Sequence, residues 1–261
     1  MTIISLYTYS LRAALSYRAD SALNAVGTIV FNCLNLFLYF VLTDRFRLVG
    51  GWNMAELVFL YGVWMLGHAL YGLLCKNLES VPNYVLAGDM DAYLTKPIAP
   101  LVHVVGKRFT FVAVGDLLVG VFFVAYGASS LNLHPELPWF LILVGFALLS
   151  FLVESAVVLL CVSTSFWLVR VDGITNFVRQ LNYSFVQKFP LSLYGRYGVF
   201  FFTFVLPYGV MNFYPATILL ERPDRVSDGF VAAAVGAACA FVVVSVAVFQ
   251  AGIRRYTSTG S

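Results

Sequence analysis

Residues 57–75 read LVFLYGVWMLGHALYGLLC, a run without Asp, Glu, Lys or Arg. A membrane-spanning helix needs about 20 mostly apolar residues, because it rises about 1.5 Å per residue through a hydrocarbon core about 30 Å thick. Of the 261 residues, 61% are hydrophobic and only 11% are charged. A soluble domain carries about 25% charged residues, most of them on its surface. The run and the composition together predict an integral membrane protein.

Runs of the same character recur along the chain. Residues 21–43 and 229–253 carry no charge, and two further runs carry a single carboxylate each, Asp116 and Glu154. We therefore expect an all-α membrane fold with about six transmembrane helices, in a single domain over residues 1–261. Five predicted spans cover residues 21–43, 55–75, 105–127, 138–169 and 229–253, and the remaining one lies within residues 173–220.

The position of that remaining span has two interpretations. Hydropathy alone selects the uncharged residues 197–220 as the fifth span and leaves the preceding residues as a cytoplasmic amphipathic stretch. The second interpretation places the span at residues 173–191 and folds residues 195–215, which two prolines interrupt, into a re-entrant hairpin at the outer side. Non-helical backbone at membrane depth is tolerated where protein or water satisfies its polar groups.

The basic residues indicate orientation rather than a nucleic-acid interface. The formal net charge is +3, but the longest basic clusters are the pairs Lys107–Arg108 and Arg254–Arg255. A nucleic-acid-binding protein would show a dense basic face. Lys and Arg are concentrated in alternate loops, which predicts that both termini lie in the cytoplasm.

Two segments outside the spans have the periodicity of amphipathic helices. Residues 2–18 suit a helix in the cytoplasmic interface, or alternatively a frayed lead-in to the first span. Residues 78–97 have apolar residues at steps of three and four, with Gly88 as a break and Pro97 as a stop. This pattern predicts one or two short helices on the cytoplasmic surface, and the alternative is a solvated linker.

Polar residues inside the spans are the candidate intramembrane pathway. A carboxylate at the bilayer centre costs about 3 kcal/mol or more, so Asp116 and Glu154 should face a partner or a cavity. They could share a proton, pair with a basic group, line a polar route, or serve structure alone as protonated acids. Asn32 and Asn35, at helical spacing, could face the route or form hydrogen bonds between helices.

No catalytic or metal-binding motif is recognisable in the sequence. Gly106–Lys107 is followed by Arg108, and Leu101 replaces the glycine that a phosphate-binding loop requires. His68 and His134 lack a second ligand at helical or turn spacing, so no metal site is predicted. The four cysteines lack a CxxC spacing and are expected to be small buried hydrophobes. A process driven by ATP would therefore need a partner chain that binds the nucleotide.

The motifs outside the spans resemble those of the type-2 ABC exporter permease family, and particularly a bacterial branch of small six-span permeases. The most specific is GDMDAYLTKP at residues 88–97. The tail GIRRYTS at residues 252–258 and the segment LSYRAD at residues 15–20 also resemble the family. Phe189–Pro190, Leu206–Pro207 and Tyr214–Pro215 have the family's late proline spacing.

The resemblance implies a half-transporter in the bacterial cytoplasmic (inner) membrane. Two permease subunits, identical or homologous, would stand above two ABC ATPase subunits, which would bind the ATP and Mg²⁺ while this chain holds no cofactor. The loop after the second span would act as a coupling helix. That role is carried by the residues that match the family motif, Asp89, Asp91, Tyr93, Leu94, Lys96 and Pro97. The resemblance also favours the re-entrant interpretation of residues 195–215.

The resulting hypothesis is a permease without enzymatic activity of its own that exports a lipid-like, drug-like or otherwise amphipathic substrate. Two other functions remain open at this level. One is a membrane scaffold or assembly protein that transports nothing. The other is a proton-coupled carrier that uses Asp116 and Glu154.

Overall fold

The computed structural model describes residues 18–97, 99–106, 113–168, 171–222 and 226–256, which are almost entirely helical. The α-helices are α1 (Arg18–Phe46), α2 (Met54–Leu74), α3 (Val81–Leu86), α4 (Asp91–Leu94), α5 (Pro100–Gly106), α6 (Ala113–Ser130), α7 (Leu137–Ser163), α8 (Asp172–Leu181), α9 (Gly195–Phe200), α10 (Phe213–Leu219) and α11 (Asp228–Arg255). Short 3-10 helices cover Lys76–Ser80, Thr164–Phe166, Leu191–Tyr194 and Tyr208–Met211, and π-helices cover Asn182–Val186 and Phe201–Val205.

Five helices in the described part of the chain are long and apolar enough to cross a membrane, namely α1, α2, α6, α7 and α11. The predicted all-α membrane fold is confirmed. The predicted interfacial helix at residues 2–18 lies outside the described residues except for Arg18. The helix of the third predicted span, 105–127, is described from Ala113 onward, whereas Pro100–Gly106 forms the separate α5.

Helix α2 forms the centre of the bundle and packs against both α6 and α7. Its glycines allow this close approach. A Cβ atom at Gly67 would lie 2.3 Å from the Cβ of Ser150 on α7, and one at Gly62 would lie 2.8 Å from the backbone nitrogen of Val124 on α6. Small residues at helix contacts let backbones approach closely inside a membrane, where packing rather than the hydrophobic effect holds helices together.

A capping box begins α2. The backbone N–H of Glu56 donates to Asn53 Oδ1 at 3.0 Å, and the backbone N–H of Asn53 donates to Glu56 Oε2 at 2.8 Å. The turn before it reverses the chain at Gly50 and Gly51, whose φ angles of 61° and 84° suit glycine. We refer to the end of the bundle that contains residues 47–53 as the turn end, and to the opposite end, which contains residues 76–106, as the loop end.

Residues 76–97, which we call the loop-end segment, pack onto the bundle as part of a second hydrophobic cluster. Leu78, Val81, Met90 and Tyr93 are buried there together with residues of α7 and α11, such as Phe249. As predicted, the segment contains short helices, and Gly88, with φ of 74°, separates α3 from α4. The segment is thus folded onto the bundle rather than being a solvated linker.

Residues 197–220 do not form one continuous helix, so that form of the hydropathy interpretation is wrong. The helical backbone stops at Leu206, which is extended (φ −118°, ψ 97°), and Pro207 follows. Proline lacks an N–H donor and disfavours the helical conformation of the preceding residue. The two arms on either side of the break are joined by a hydrogen bond between the hydroxyls of Thr203 and Tyr214.

Candidate functional site

Four side chains of α2 form a stripe along one face of the helix: Tyr61, Trp64, His68 and Tyr71. Their spacing of three, four and three residues places them one above another. The rings of Tyr61 and Trp64 are stacked with centroids 6.0 Å apart, and those of Trp64 and His68 with centroids 4.5 Å apart. The three other aromatic side chains are at most 1% exposed, and His68 is partly exposed. The stripe therefore carries hydrogen-bonding groups through the interior of the bundle.

Residues 172–194 run antiparallel to this stripe and hydrogen-bond to it at successive levels. From the loop end toward the turn end, Tyr183 Oη lies 3.2 Å from His68 Nε2, Trp64 Nε1 donates to Asn182 Oδ1 at 3.1 Å, and Gln187 Nε2 donates to Tyr61 Oη at 3.0 Å. Further toward the turn end, a Cβ atom at Gly50 would collide with Leu193. The segment thus follows α2 over most of its length.

His68 is the centre of the network because it also contacts α7. Its Nδ1 lies 2.8 Å from Glu154 Oε1, and Glu154 is only 4% exposed. In one consistent assignment, Nδ1–H donates to the carboxylate while Nε2 accepts from the hydroxyl of Tyr183. The other Glu154 oxygen, Oε2, is buried without a hydrogen-bond partner among the described residues. Glu154 therefore pairs with a basic group, His68, which is one of the arrangements that its sequence position allowed.

The two predicted asparagines of α1 join the network through Tyr61. The Tyr61 hydroxyl donates to Asn32 Oδ1 at 2.7 Å and accepts from Asn35 Nδ2 at 3.3 Å. Each amide also donates to a backbone carbonyl of α1 four residues earlier. One phenolic oxygen therefore connects α1, α2 and the segment that contains Gln187. These asparagines form the hydrogen bonds between helices that the sequence allowed.

Asp116 and Glu154 line two different cavities, and Tyr183 lines both of them. Asp116 of α6 lines an open groove of about 390 Å³, which we call the polar groove, together with Asn32, His68 and Gln187. Among the described residues, no side chain makes a hydrogen bond or ion pair with Asp116. Glu154 lines a separate, smaller cavity together with Tyr71, Glu79 and Arg179. The structure thus brings Asp116, Asn32 and His68 together, but it does not bring the two carboxylates into contact.

An ion cluster around Glu79 continues the network to the loop end. Glu79 Oε1 lies 2.9 Å from Lys76 Nζ and accepts from the Tyr71 hydroxyl at 2.9 Å, and Oε2 lies 3.3 Å from Arg179 Nη2. Burial by itself would raise the pKa of Glu79, but Lys76, Arg179 and the Tyr71 hydroxyl outweigh it, and the pKa lies below its ordinary value. The cluster ties the start of the loop-end segment to α8.

The residues that match the family's coupling motif fall into two groups. The side chains of Asp89, Leu94, Lys96 and Pro97 are exposed, and that of Asp91 is partly exposed. Tyr93, in contrast, is 4% exposed and packs edge-on against His103, with ring centroids 4.9 Å apart. Its side chain therefore holds the segment in place and does not face outward.

Two of the quoted motifs meet at the loop end. Tyr256, from the GIRRYTS tail, packs against the hydrophobic cluster that contains Met90 and Tyr93 of the GDMDAYLTKP segment. Burial, followed by the negative charges of Asp91 and Asp89, raises the pKa of the Tyr256 hydroxyl above its ordinary value. The fold thus places two segments that are 155 residues apart in the sequence, counted from Pro97 to Gly252, next to each other.

The family profile described as "ABC-2 family transporter protein" matches residues 29–260, which is almost the whole chain. The chain belongs to this family. Comparison with curated proteins and with solved structures finds no significant match. The protein is therefore a multi-pass membrane transport permease, a component of a transporter that is not itself a catalyst. Permeases of this family normally work with an ABC ATPase.

Sequence reasoning missed the central residues of the permease's polar network. It treated His68 only as a rejected metal ligand, and it gave Tyr61, Trp64 and Tyr183 no role. A signal was present, because a polar or aromatic residue recurs at positions 61, 64, 68 and 71, all on one helical face. The opposing partners in residues 179–187 could not be identified, because the path of that region was itself ambiguous.

Proposed function

We propose that the permease is the membrane-spanning subunit of an ATP-driven exporter whose ATP is hydrolysed by a partner ABC ATPase. The observation that carries this proposal is the match to the ABC-2 transporter family over residues 29–260. The complex would contain a second permease subunit, identical or homologous, and would lie in the bacterial inner membrane. ATP and Mg²⁺ would bind to the partner, since the sequence of this chain has no nucleotide-binding motif.

The loop-end segment supports a coupling role by its shape. Leu94, Lys96 and Pro97 form an exposed surface of mixed apolar and basic character. Directly behind it, Met90 and Tyr93 are buried against the bundle. A short exposed surface that is supported by buried side chains can dock in a groove of a partner and transmit a rigid-body displacement. We infer that Leu94, Lys96, Pro97 and Asp89 would contact the ATPase, with Asp91 at the edge of that contact.

The displacement would reach the polar groove through Glu79 and Arg179. Glu79 belongs to the loop-end segment, and its ion pair with Arg179 joins that segment to residues 172–194, which contain Tyr183 and Gln187 of the groove wall. We infer that residues 172–194 are the fifth crossing and that residues 195–219 form the re-entrant hairpin. If the loop end faces the cytoplasm, both termini would lie there as well.

Charge and polarity reversals on the exposed surface test the coupling role. The permease is purified from its native membrane together with its ATPase, and ATP hydrolysis and copurification are measured for Lys96→Glu and Leu94→Asp. Both variants should lose most of the bound ATPase, because each places a carboxylate in the docking surface. Matched controls at the turn end are Arg45→Glu and Leu48→Asp, which change an exposed basic residue and an exposed leucine.

Two outcomes would contradict the exporter. One is transport by the purified complex that continues without any nucleotide hydrolysis. The other is an equal loss of the ATPase in the loop-end variants and the turn-end controls, which would reflect general damage to the protein.

The His68–Glu154 pair supports a second candidate, the proton-coupled carrier. A partly exposed imidazole that bridges a carboxylate and a tyrosine hydroxyl can accept and release a proton. In this case transport in proteoliposomes should follow an imposed proton gradient without ATP, and Glu154→Gln and Asp116→Asn should abolish it. Uptake that depends on ATP and ignores the gradient would eliminate the carrier.

A further inference from the structure

The polar groove has an apolar neighbour, and the two share one residue. A second groove of about 300 Å³, which we call the apolar groove, lies between α1 and α6 and is lined by residues such as Leu36, Val119 and Phe123. Asn32 lines both grooves. Both volumes are in the range of small-molecule sites, which are mostly apolar with a few placed polar groups.

The two grooves are aligned along one face of α6. Asp116, Val119 and Phe123 follow at steps of three and four residues, so they lie on the same side of the helix. The helical rise places Asp116 about 10 Å from Phe123 along the axis. A molecule that lies along α6 would therefore pass from a carboxylate to a purely apolar surface.

The polar groove is lined by hydrogen-bond acceptors and by a carboxylate. Asp116 lines it, and so does Gln187, whose Oε1 has no hydrogen-bond partner among the described residues. A protonated His68 would be matched by the carboxylate of Glu154, so an ionised Asp116 would give the groove one uncompensated negative charge. A carboxylate within a membrane span is costly without a partner. A cationic N–H donor would offset that cost.

We propose that the two grooves together bind an amphipathic cation, with a protonated amine against Asp116 and Gln187 and a hydrocarbon chain along Val119 and Phe123. The proposal rests on the proposed function, since it names the substrate class that the permease would carry. Anionic amphiphiles are disfavoured by the charge of the site. Uncharged amphiphiles gain only the apolar contacts.

The test compares two ligands that differ only in charge. The permease is embedded in nanodiscs of phosphatidylcholine, and the binding of radiolabelled dodecylamine is measured at pH 7, where an amine is protonated. Dodecanol, with the same chain and no charge, serves as competitor, and empty nanodiscs give the background. The wild type should prefer dodecylamine over dodecanol by at least about tenfold, or about 1.4 kcal/mol.

Separate variants test the binding of the amine group and the binding of the hydrocarbon chain. Asp116→Asn should lose most of the preference for dodecylamine, whereas Asp116→Glu should keep it. Val119→Trp fills the apolar groove and should weaken the binding of both ligands. Glu136→Gln, which changes an exposed carboxylate at the turn end, should bind like the wild type.

The proposal is overturned if the wild type binds the two ligands equally, or if Asp116→Asn binds dodecylamine as tightly as the wild type. Should Asp116→Asn fail to fold, the wild-type preference and the Val119→Trp variant decide the question. The assay contains neither ATP nor an ATPase, so amine binding can succeed where ATP-driven transport fails, and the reverse. The two proposals are therefore tested separately.

Discussion

Helices α1 and α2 have nearly the same hydropathy and opposite places in the molecule. In their most apolar windows, 72% of the residues of α2 are buried but only 17% of those of α1. Exposed positions on α1 include Leu34 and Phe37, which are 61% and 62% exposed. An apolar run therefore predicts a membrane span but does not predict whether that span lies at the centre or the periphery of the bundle.

The difference between the two helices lies in their small and polar residues. Gly62 and Gly67 of α2 lie in close contact with α6 and α7. Among the described residues, no atom of another helix lies within 4 Å of a Cβ position at Gly27 of α1. Helix α2 carries a complete stripe of hydrogen-bonding side chains. Helix α1 contributes Asn32 and Asn35, both directed at Tyr61. Close packing on several sides thus distinguishes the central helix from a peripheral one.

The largest effect is expected from adding one methyl group at matched glycines. Gly67→Ala would force α2 and α7 apart, because the new Cβ would overlap Ser150, and overpacking of this kind costs up to about 3 kcal/mol. Gly27→Ala should be neutral or slightly stabilising, since alanine favours helix. Thermal unfolding in detergent measures both. Equal destabilisation by the two variants would show that α1 is as tightly packed as α2.

A smaller difference is expected between two phenylalanines. Phe59 on α2 is fully buried, whereas Phe37 on α1 is 62% exposed. Phe59→Ala should destabilise the protein by about 2 kcal/mol, because it leaves a cavity, although the transfer contribution seen in soluble proteins is small in a membrane. Phe37→Ala should change stability by less than about 0.5 kcal/mol. A reversed order would place the exposed face of α1 inside an interface.

The polar contact between the two helices should contribute less again. Asn35→Ala removes the hydrogen bond to Tyr61 and should cost about 0.6–1 kcal/mol. The control is Leu34→Ala, one residue earlier on the exposed face of α1. If both variants melt at the wild-type temperature, packing alone holds α1 on α2.

The smallest effect concerns pH at the loop end of α2. Because the pKa of Glu79 is lowered in the folded protein, its stabilising contribution is complete above the ordinary value of 4.5 and is lost as the pH falls below it. Glu79→Gln should therefore be less stable than the wild type at neutral pH, and this difference should shrink below that value. A difference that stays constant down to acidic pH would mean that the charge of Glu79 contributes nothing.

Much of the fold follows from the sequence because the bilayer imposes a simple rule on charge and length. The long helices α2, α7 and α11 begin and end close to the predicted span limits. Helix α6 was less predictable, because the short α5 precedes it. The fifth region was ambiguous, since hydropathy disfavours a span that contains Arg179 and Gln187. The structure satisfies these side chains by an ion pair with Glu79 and a hydrogen bond to Tyr61 of α2.

The site was predictable only in part. Asp116, Glu154, Asn32 and Asn35 were recognisable because polar residues are rare in membrane spans. His68 and Tyr183 were not, because their importance depends on which helix lies opposite α2. The burial of Tyr93 was equally hidden, since a motif shared with a family does not show which of its side chains face inward.

The winding of residues 172–194 has a mechanical consequence for the polar groove. Helix α2 is regular from Met54 to Leu74 and behaves as a stiff rod. The wall opposite α2 is formed by residues 172–194. Its backbone changes from α- to π-helix at Asn182, and the helix ends at Val186, next to Gln187, which hydrogen-bonds to Tyr61. Helices kink preferentially at π-helical turns, so we expect a push that arrives at Arg179 to change the helix angle at this point. The polar groove would then change its width by movement of this wall, while α2 and the rest of the bundle keep their shape.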